Sequence, residues 1–124
     1  MIYLDTHVVV WLFAGRKDLL SETAVQLINE NDLYVSPMVI LEIHLLKEIG
    51  RLTVAGDEVS NDLSQRIGLR ICDAPFPQIA QAASTQVWTR DPFDRVIVGQ
   101  ATVRDKPLLT KDQTIRDHFQ AAVW

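Results

Sequence analysis

The sequence predicts an α/β fold: a three-layer α/β/α sandwich around a central parallel sheet of four to five strands. Two observations predict it. Short apolar runs alternate along the chain with longer segments of helical periodicity, and those segments are punctuated by helix-start and helix-stop residues. Short β-branched strands separated by helices imply a parallel sheet covered on both faces.

The elements follow in order. Ile2–Asp5 reads as a buried strand, and residues 7–14 as a short helix stopped by Gly15. Ser21 caps a helix running to Asn31, with Ala24, Val25, Leu27 and Ile28 on its inner side. Leu33–Ser36 is the second strand. Ser36-Pro37 then offers a capping hydroxyl followed by proline at the first helical position, and that helix runs to Gly50. A helix over residues 57–67 ends at Gly68, and Leu69–Cys72 is the third strand. Pro75–Ser84 is a short helix. Asp91-Pro92 opens the next helix, which runs to Arg104. Leu108–Thr110 is the fourth strand, a helix starts from Asp112, and Ala121–Trp124 reads as a fifth strand.

The length of 124 residues fits one domain spanning 1–124. Hydrophobic residues make up 48% and charged residues 23%, an ordinary globular balance. No apolar run approaches the roughly 18 residues of a membrane span. The N-terminus shows no secretory leader, because Asp5 interrupts an apolar stretch that has no basic lead. Cys72 is the only cysteine, which excludes an intrachain disulfide, suits a reducing cytoplasm and reads as a small buried hydrophobe.

Five acids stand in apolar surroundings. Asp5 ends the first strand, Glu42 interrupts the apolar helix after Pro37, Asp91 and Asp94 open the helix at Pro92, and Asp112 follows Leu108-Leu109-Thr110. A carboxylate in such surroundings is unfavourable unless it is paired or bound to a cation. Ligands in open parallel sheets bind beyond the carboxyl ends of the strands, and Asp5 and Asp112 both fall there. Met38, Glu42, Leu45, Leu46 and Ile49 share one helical face, which puts Glu42 on an apolar stripe. Asp94 shares a face with Ile97, Val98 and Ala101 and should point inward. Asp91, before a proline, is foremost a helix cap. Asp5 and Asp112 are also placed to cap the helices that follow them.

Mg2+ and Mn2+ are hard cations that prefer carboxylate oxygen and water. They can activate water and stabilise a leaving oxygen in phosphodiester hydrolysis. Without a cation, close carboxylate pairs would repel by roughly 4 kcal/mol at an effective dielectric near 20. The net charge of −4 argues against a broad basic footprint. If Asp5, Glu42, Asp94 and Asp112 hold metal, however, the 12 other acids balance the 12 Lys and Arg. His7, His44 and His118 form no zinc set, although His7 lies beside Asp5. Trp11, Trp88 and Trp124 read as core or interface residues, and no glycine-rich phosphate loop is present.

Four segments in this order resemble the PIN-domain ribonucleases, specifically the VapC-type toxins of toxin–antitoxin pairs. They are Leu4-Asp5-Thr6-His7 with Trp11; Ser36-Pro37 leading to Glu42; Arg90-Asp91-Pro92-Phe93-Asp94-Arg95 running into Gly99-Gln100-Ala101; and Pro107-Leu108-Leu109-Thr110-Lys111-Asp112. The resemblance covers essentially the whole chain. It implies Asp5, Glu42, Asp94 and Asp112 as metal-binding acids, with Thr6 and Thr110 as hydroxyls that orient them. It also implies Mg2+- or Mn2+-dependent RNA cleavage leaving a 5′-phosphate, a homodimer, and silencing by a cognate antitoxin. Thr89 departs from relatives that carry His before Arg-Asp-Pro. Arg95 and Lys111 are candidates for RNA phosphates. Arg95 is equally a candidate for pairing with Glu42 or Asp91.

Other functions fit less well. An aspartyl phosphotransferase would want a second acid where His7 stands, and a receiver domain needs an early acid pair that this chain lacks despite Asp73. The alternative that remains is a catalytically silent PIN-fold binding module.

Overall fold

The computed structural model describes residues 1–124. The elements run β1 (Ile2–Leu4), α1 (Thr6–Phe13), α2 (Glu22–Glu30), β2 (Leu33–Val35), α3 (Pro37–Glu48), α4 (Gly56–Ile67), β3 (Arg70–Ile71), α5 (Phe76–Ser84), α6 (Pro92–Arg104), β4 (Leu108–Leu109), α7 (Gln113–His118) and β5 (Ala122–Val123). A 3-10 turn, Lys17–Leu19, links α1 to α2. All neighbouring strands pair in parallel, in the order β3-β2-β1-β4-β5. Helices flank this sheet, so the three-layer α/β/α arrangement with a parallel sheet is the fold of the chain.

Local chemistry sets the element ends. The Ser21 hydroxyl oxygen accepts from the Ala24 N–H at 2.9 Å, and that of Ser36 from the Met38 N–H at 3.1 Å. Gly68 ends α4 in the left-handed region at φ 71°. Three strands are shorter than the apolar runs that encode them: β3 keeps only Arg70–Ile71, β4 Leu108–Leu109 and β5 Ala122–Val123.

The core lies between sheet and helices. Ile2 and Leu4 of β1, Val35 of β2, Leu108 and Leu109 of β4, Ile43 of α3 and Ile97 of α6 are all buried in it. Cys72 is buried, as a small hydrophobe should be, and its sulfur accepts a hydrogen bond from the Tyr3 hydroxyl at 2.9 Å. No helix is long and apolar enough to cross a membrane.

The strand order positions the site. The chain steps outward from β1 to β2 to β3, then crosses back to lay β4 on the other side of β1. Order reverses between β1 and β4, and the crevice beyond their carboxyl ends is where such sheets bind ligands.

Candidate active site

Leu4 of β1 stands opposite Leu109 of β4, so the residues just after them meet at that crevice. Asp5 is buried and caps α1, its Oδ1 accepting from the Thr6 N–H at 2.8 Å. Its Oδ2 accepts from the Thr110 hydroxyl at 2.6 Å. The Thr110 oxygen in turn accepts from the Asp112 N–H at 3.0 Å, and Asp112 Oδ1 caps α7 by accepting from the Ile115 N–H at 3.1 Å. The Thr6 hydroxyl donates to Glu42 Oε1 on α3. Two threonines thus tie Asp5, Glu42 and the Asp112 backbone into one network spanning four elements. From α6, Asp91 Oδ1 accepts from the Phe93 N–H at 2.8 Å, and Asp94 follows in the first turn.

Asp5, Glu42, Asp91, Asp94 and Asp112 all line one cavity of about 420 Å³. The capping and site readings of Asp5, Asp91 and Asp112 therefore do not exclude each other. One carboxylate oxygen serves the helix, leaving other lone pairs for the cavity. None of the five pairs with Lys or Arg; the only ionic neighbour is His7, whose Nδ1 lies 3.6 Å from Asp5 Oδ2. Burial, followed by the charges of Asp91, Asp5, Asp112 and Glu42, pushes the Asp94 carboxyl up to about 7. Burial also raises Glu42, with Asp5 and Asp91 adding to the rise and the Thr6 hydrogen bond opposing it. Burial lowers the His7 imidazole against the attraction of Asp5 and Asp112. A neutral ring fits its other contact, since Nε2 accepts the Lys111 N–H at 2.9 Å.

The donor set is all hard oxygen, carboxylate and hydroxyl, and suits Mg2+ or Mn2+. No three acidic or histidine side chains already converge at ligand spacing. The residues present thus fit a hard cation in their chemistry, with the carboxylates spread around one cavity rather than gathered at ligand spacing.

Residues 2–118 match the PIN-domain family model. The chain belongs to the PIN-domain family. Solved structures with this PIN fold include a toxin–antitoxin complex from Klebsiella pneumoniae, with 18% identity and TM-score 0.71 over 100% of this chain and 97% of that one. VapBC2 from Rickettsia felis, bound to a DNA fragment from its promoter, gives 16% identity and TM-score 0.70 over 100% and 98%. FitAcB from Neisseria gonorrhoeae gives 22% and 0.57 over 100% and 96%. These likenesses concern the fold. No curated protein sequence matches the chain.

Within this PIN domain, two expectations are corrected. The apolar stripe through Met38, Glu42 and Ile49 is not the core face of α3; Val39 and Ile43 are fully buried, while Leu45 and Ile49 are 37% and 65% exposed. Glu42 reaches the cavity from a half-buried flank. Arg95 pairs with neither Glu42 nor Asp91; its Nε donates to the Thr89 carbonyl at 2.8 Å. Thr89 braces that same loop, its hydroxyl oxygen accepting from the Asp91 N–H at 3.2 Å.

Arg51 was not legible as a site residue, yet it is the one arginine or lysine lining the carboxylate cavity. Gly50, at φ 80°, turns the chain back so that the Arg51 and Leu52 N–H groups both bond the Leu46 carbonyl, at 2.9 and 3.2 Å. That turn sets Arg51 beside Leu46 at the cavity wall. The stop signal at Gly50 was visible, but the direction of the chain after it was not.

Proposed function

We propose that this PIN domain is a metal-dependent endoribonuclease acting as the toxin of a toxin–antitoxin pair. The observation that carries the proposal is five carboxylates on one cavity at the β1/β4 switch point, with Arg51 as the only arginine or lysine in its lining. Membership of the PIN family supports the nuclease assignment. The solved structures of similar fold include toxin–antitoxin complexes, which supports an antitoxin partner. In this reading residues 1–124 form one PIN domain working as a cytoplasmic homodimer.

Asp5, Glu42 and Asp94 would hold the cation, and Asp112 would hold a second ion or position the attacking water. Mg2+ or Mn2+ there would lower the pKa of water and stabilise charge on the phosphoryl oxygens. Thr110 holds the Asp5 carboxylate in one orientation, and Thr6 does the same for Glu42. Burial, with the neighbouring acids adding to it, pushes the Asp94 carboxyl up to about 7, and a cation held there would favour its ionised form. Arg51 faces the cavity as a cation for a flanking RNA phosphate.

The test is cleavage of a mixed cellular RNA pool by antitoxin-free protein with Mg2+, with Mn2+ and with chelator. Asp5→Asn and Glu42→Gln run alongside. The expected outcome is cation-dependent cleavage leaving 5′-phosphates, lost in both variants. Metal-induced thermal stabilisation without any cleavage by the wild type would instead identify a silent binding module.

A further inference from the structure

Trp11 is a large apolar side chain that the core does not explain. From the same helix Val8 and Val9 are core residues, and Val10, Leu12 and Phe13 pack against the core, but Trp11 does not join that packing. It is half-buried at the mouth of the site, as a wall shared by the carboxylate cavity and a second cavity of about 230 Å³ bounded by His7, Lys111 and Asp112. Its orientation is set from two sides. The His7 ring lies 4.9 Å away at 55°, and the Trp124 ring 6.1 Å away at 60°. The Lys111 ammonium sits 5.9 Å from the Trp11 ring centroid, and the Lys111 N–H is anchored on His7. A braced indole with a cation over one face, one step from carboxylates suited to a metal that would hold a phosphate, combines the two elements that hold single-stranded nucleic acid: an aromatic stacking surface and a positive charge for the backbone.

We propose that Trp11, braced by His7 and Trp124 and flanked by Lys111, is a nucleobase subsite. It stacks one unpaired base of the strand whose phosphate lies over Asp5, Glu42 and Asp94. The proposal rests on the nuclease reading and adds to it that this base must be extruded or single-stranded, since a base inside a duplex offers no free face.

The test uses wild-type protein with Mg2+ and two small probes, adenosine 5′-monophosphate and ribose 5-phosphate, followed by NMR titration. The wild type should bind the nucleotide about 10-fold or more tightly than the base-free sugar phosphate. Its adenine protons should move upfield through the indole ring current. Trp11→Ala should erase both the preference and the upfield shift while keeping ribose 5-phosphate affinity, and Trp11→Phe should retain most of the preference. Equal wild-type affinity for the two probes, or no saturable nucleotide binding at millimolar concentration, overturns the subsite, and neither result needs a variant to fold. Equal weakening of both probes in Trp11→Ala and Trp11→Phe also overturns it, because that pattern marks a packing role. RNA cleavage by the same wild-type sample is read separately. Cleavage without a base preference keeps the nuclease and removes the subsite; a base preference without cleavage does the reverse.

Discussion

Thr110 is fully buried and bonds two site acids at once, donating to Asp5 Oδ2 and accepting from the Asp112 N–H. Thr110→Val keeps the shape and removes both bonds. It should weaken Mn2+ binding about 10- to 100-fold, as loss of groups that orient metal ligands does, with the helical circular-dichroism signal unchanged. Undiminished affinity would show that the hydroxyl serves folding only. Asp94 makes a pH prediction. In the folded chain it keeps its proton up to about 7, against a reference value of 3.8. Between those values the folded state binds more protons than the unfolded state, so this group's contribution to stability falls as pH rises. Glu42 shifts in the same direction. In chelator, the melting temperature of the wild type relative to Asp94→Asn should therefore decline from pH 4 to pH 7; a difference that stays flat or rises contradicts the assignment. The acids themselves were legible because a carboxylate in an apolar run is anomalous on its face. Arg51 and Trp11 were not, because an arginine after a helix stop and a tryptophan on a helix are ordinary until their neighbours are known.

At the level of elements, the caps were legible and the helix phases only partly so. Ser21, Ser36, Gly68 and Asp91-Pro92 announce helix ends through short-range chemistry, and each does the expected work. Helix α3 defeats periodicity because Met38, Val39, Ile40, Leu41, Ile43, Leu45 and Leu46 leave almost no polar face. Which of these meet the core is decided by the sheet, and it selects Val39 and Ile43. The packing of α6 on α5 turns on Gly99. A Cβ there would lie 2.9 Å from the Ala83 backbone nitrogen and 3.2 Å from the Ile79 carbonyl oxygen, so the helix backbones nearly touch. Gly99→Ala must push them apart and should destabilise the fold by roughly 1–3 kcal/mol, about 4 °C in Tm per kcal/mol for a chain of this size. Because α6 carries Asp91 and Asp94, metal affinity should fall with it. An unchanged melting temperature would show that the contact is slack.

For the whole molecule, the sequence announced a parallel sheet and put Asp5 and Asp112 past strand ends. It could not show that β1 and β4 are neighbours, since strand order comes from long-range packing rather than from any local run. That adjacency brings acids from opposite ends of the chain, Asp5 and Asp112, to one crevice, and the surrounding helices add Glu42, Asp91 and Asp94. The acidic cavity also gives the net charge of −4 a physical reading: the excess negative charge is concentrated where a cation would neutralise it. Whether this crevice binds a divalent cation is read by a calorimetric Mn2+ titration of the wild type and Asp5→Asn at pH 7.5. Saturable binding of one or two ions by the wild type, lost in an Asp5→Asn variant that still folds, is the expected result. No binding by the wild type, or equal binding by both proteins, would contradict it.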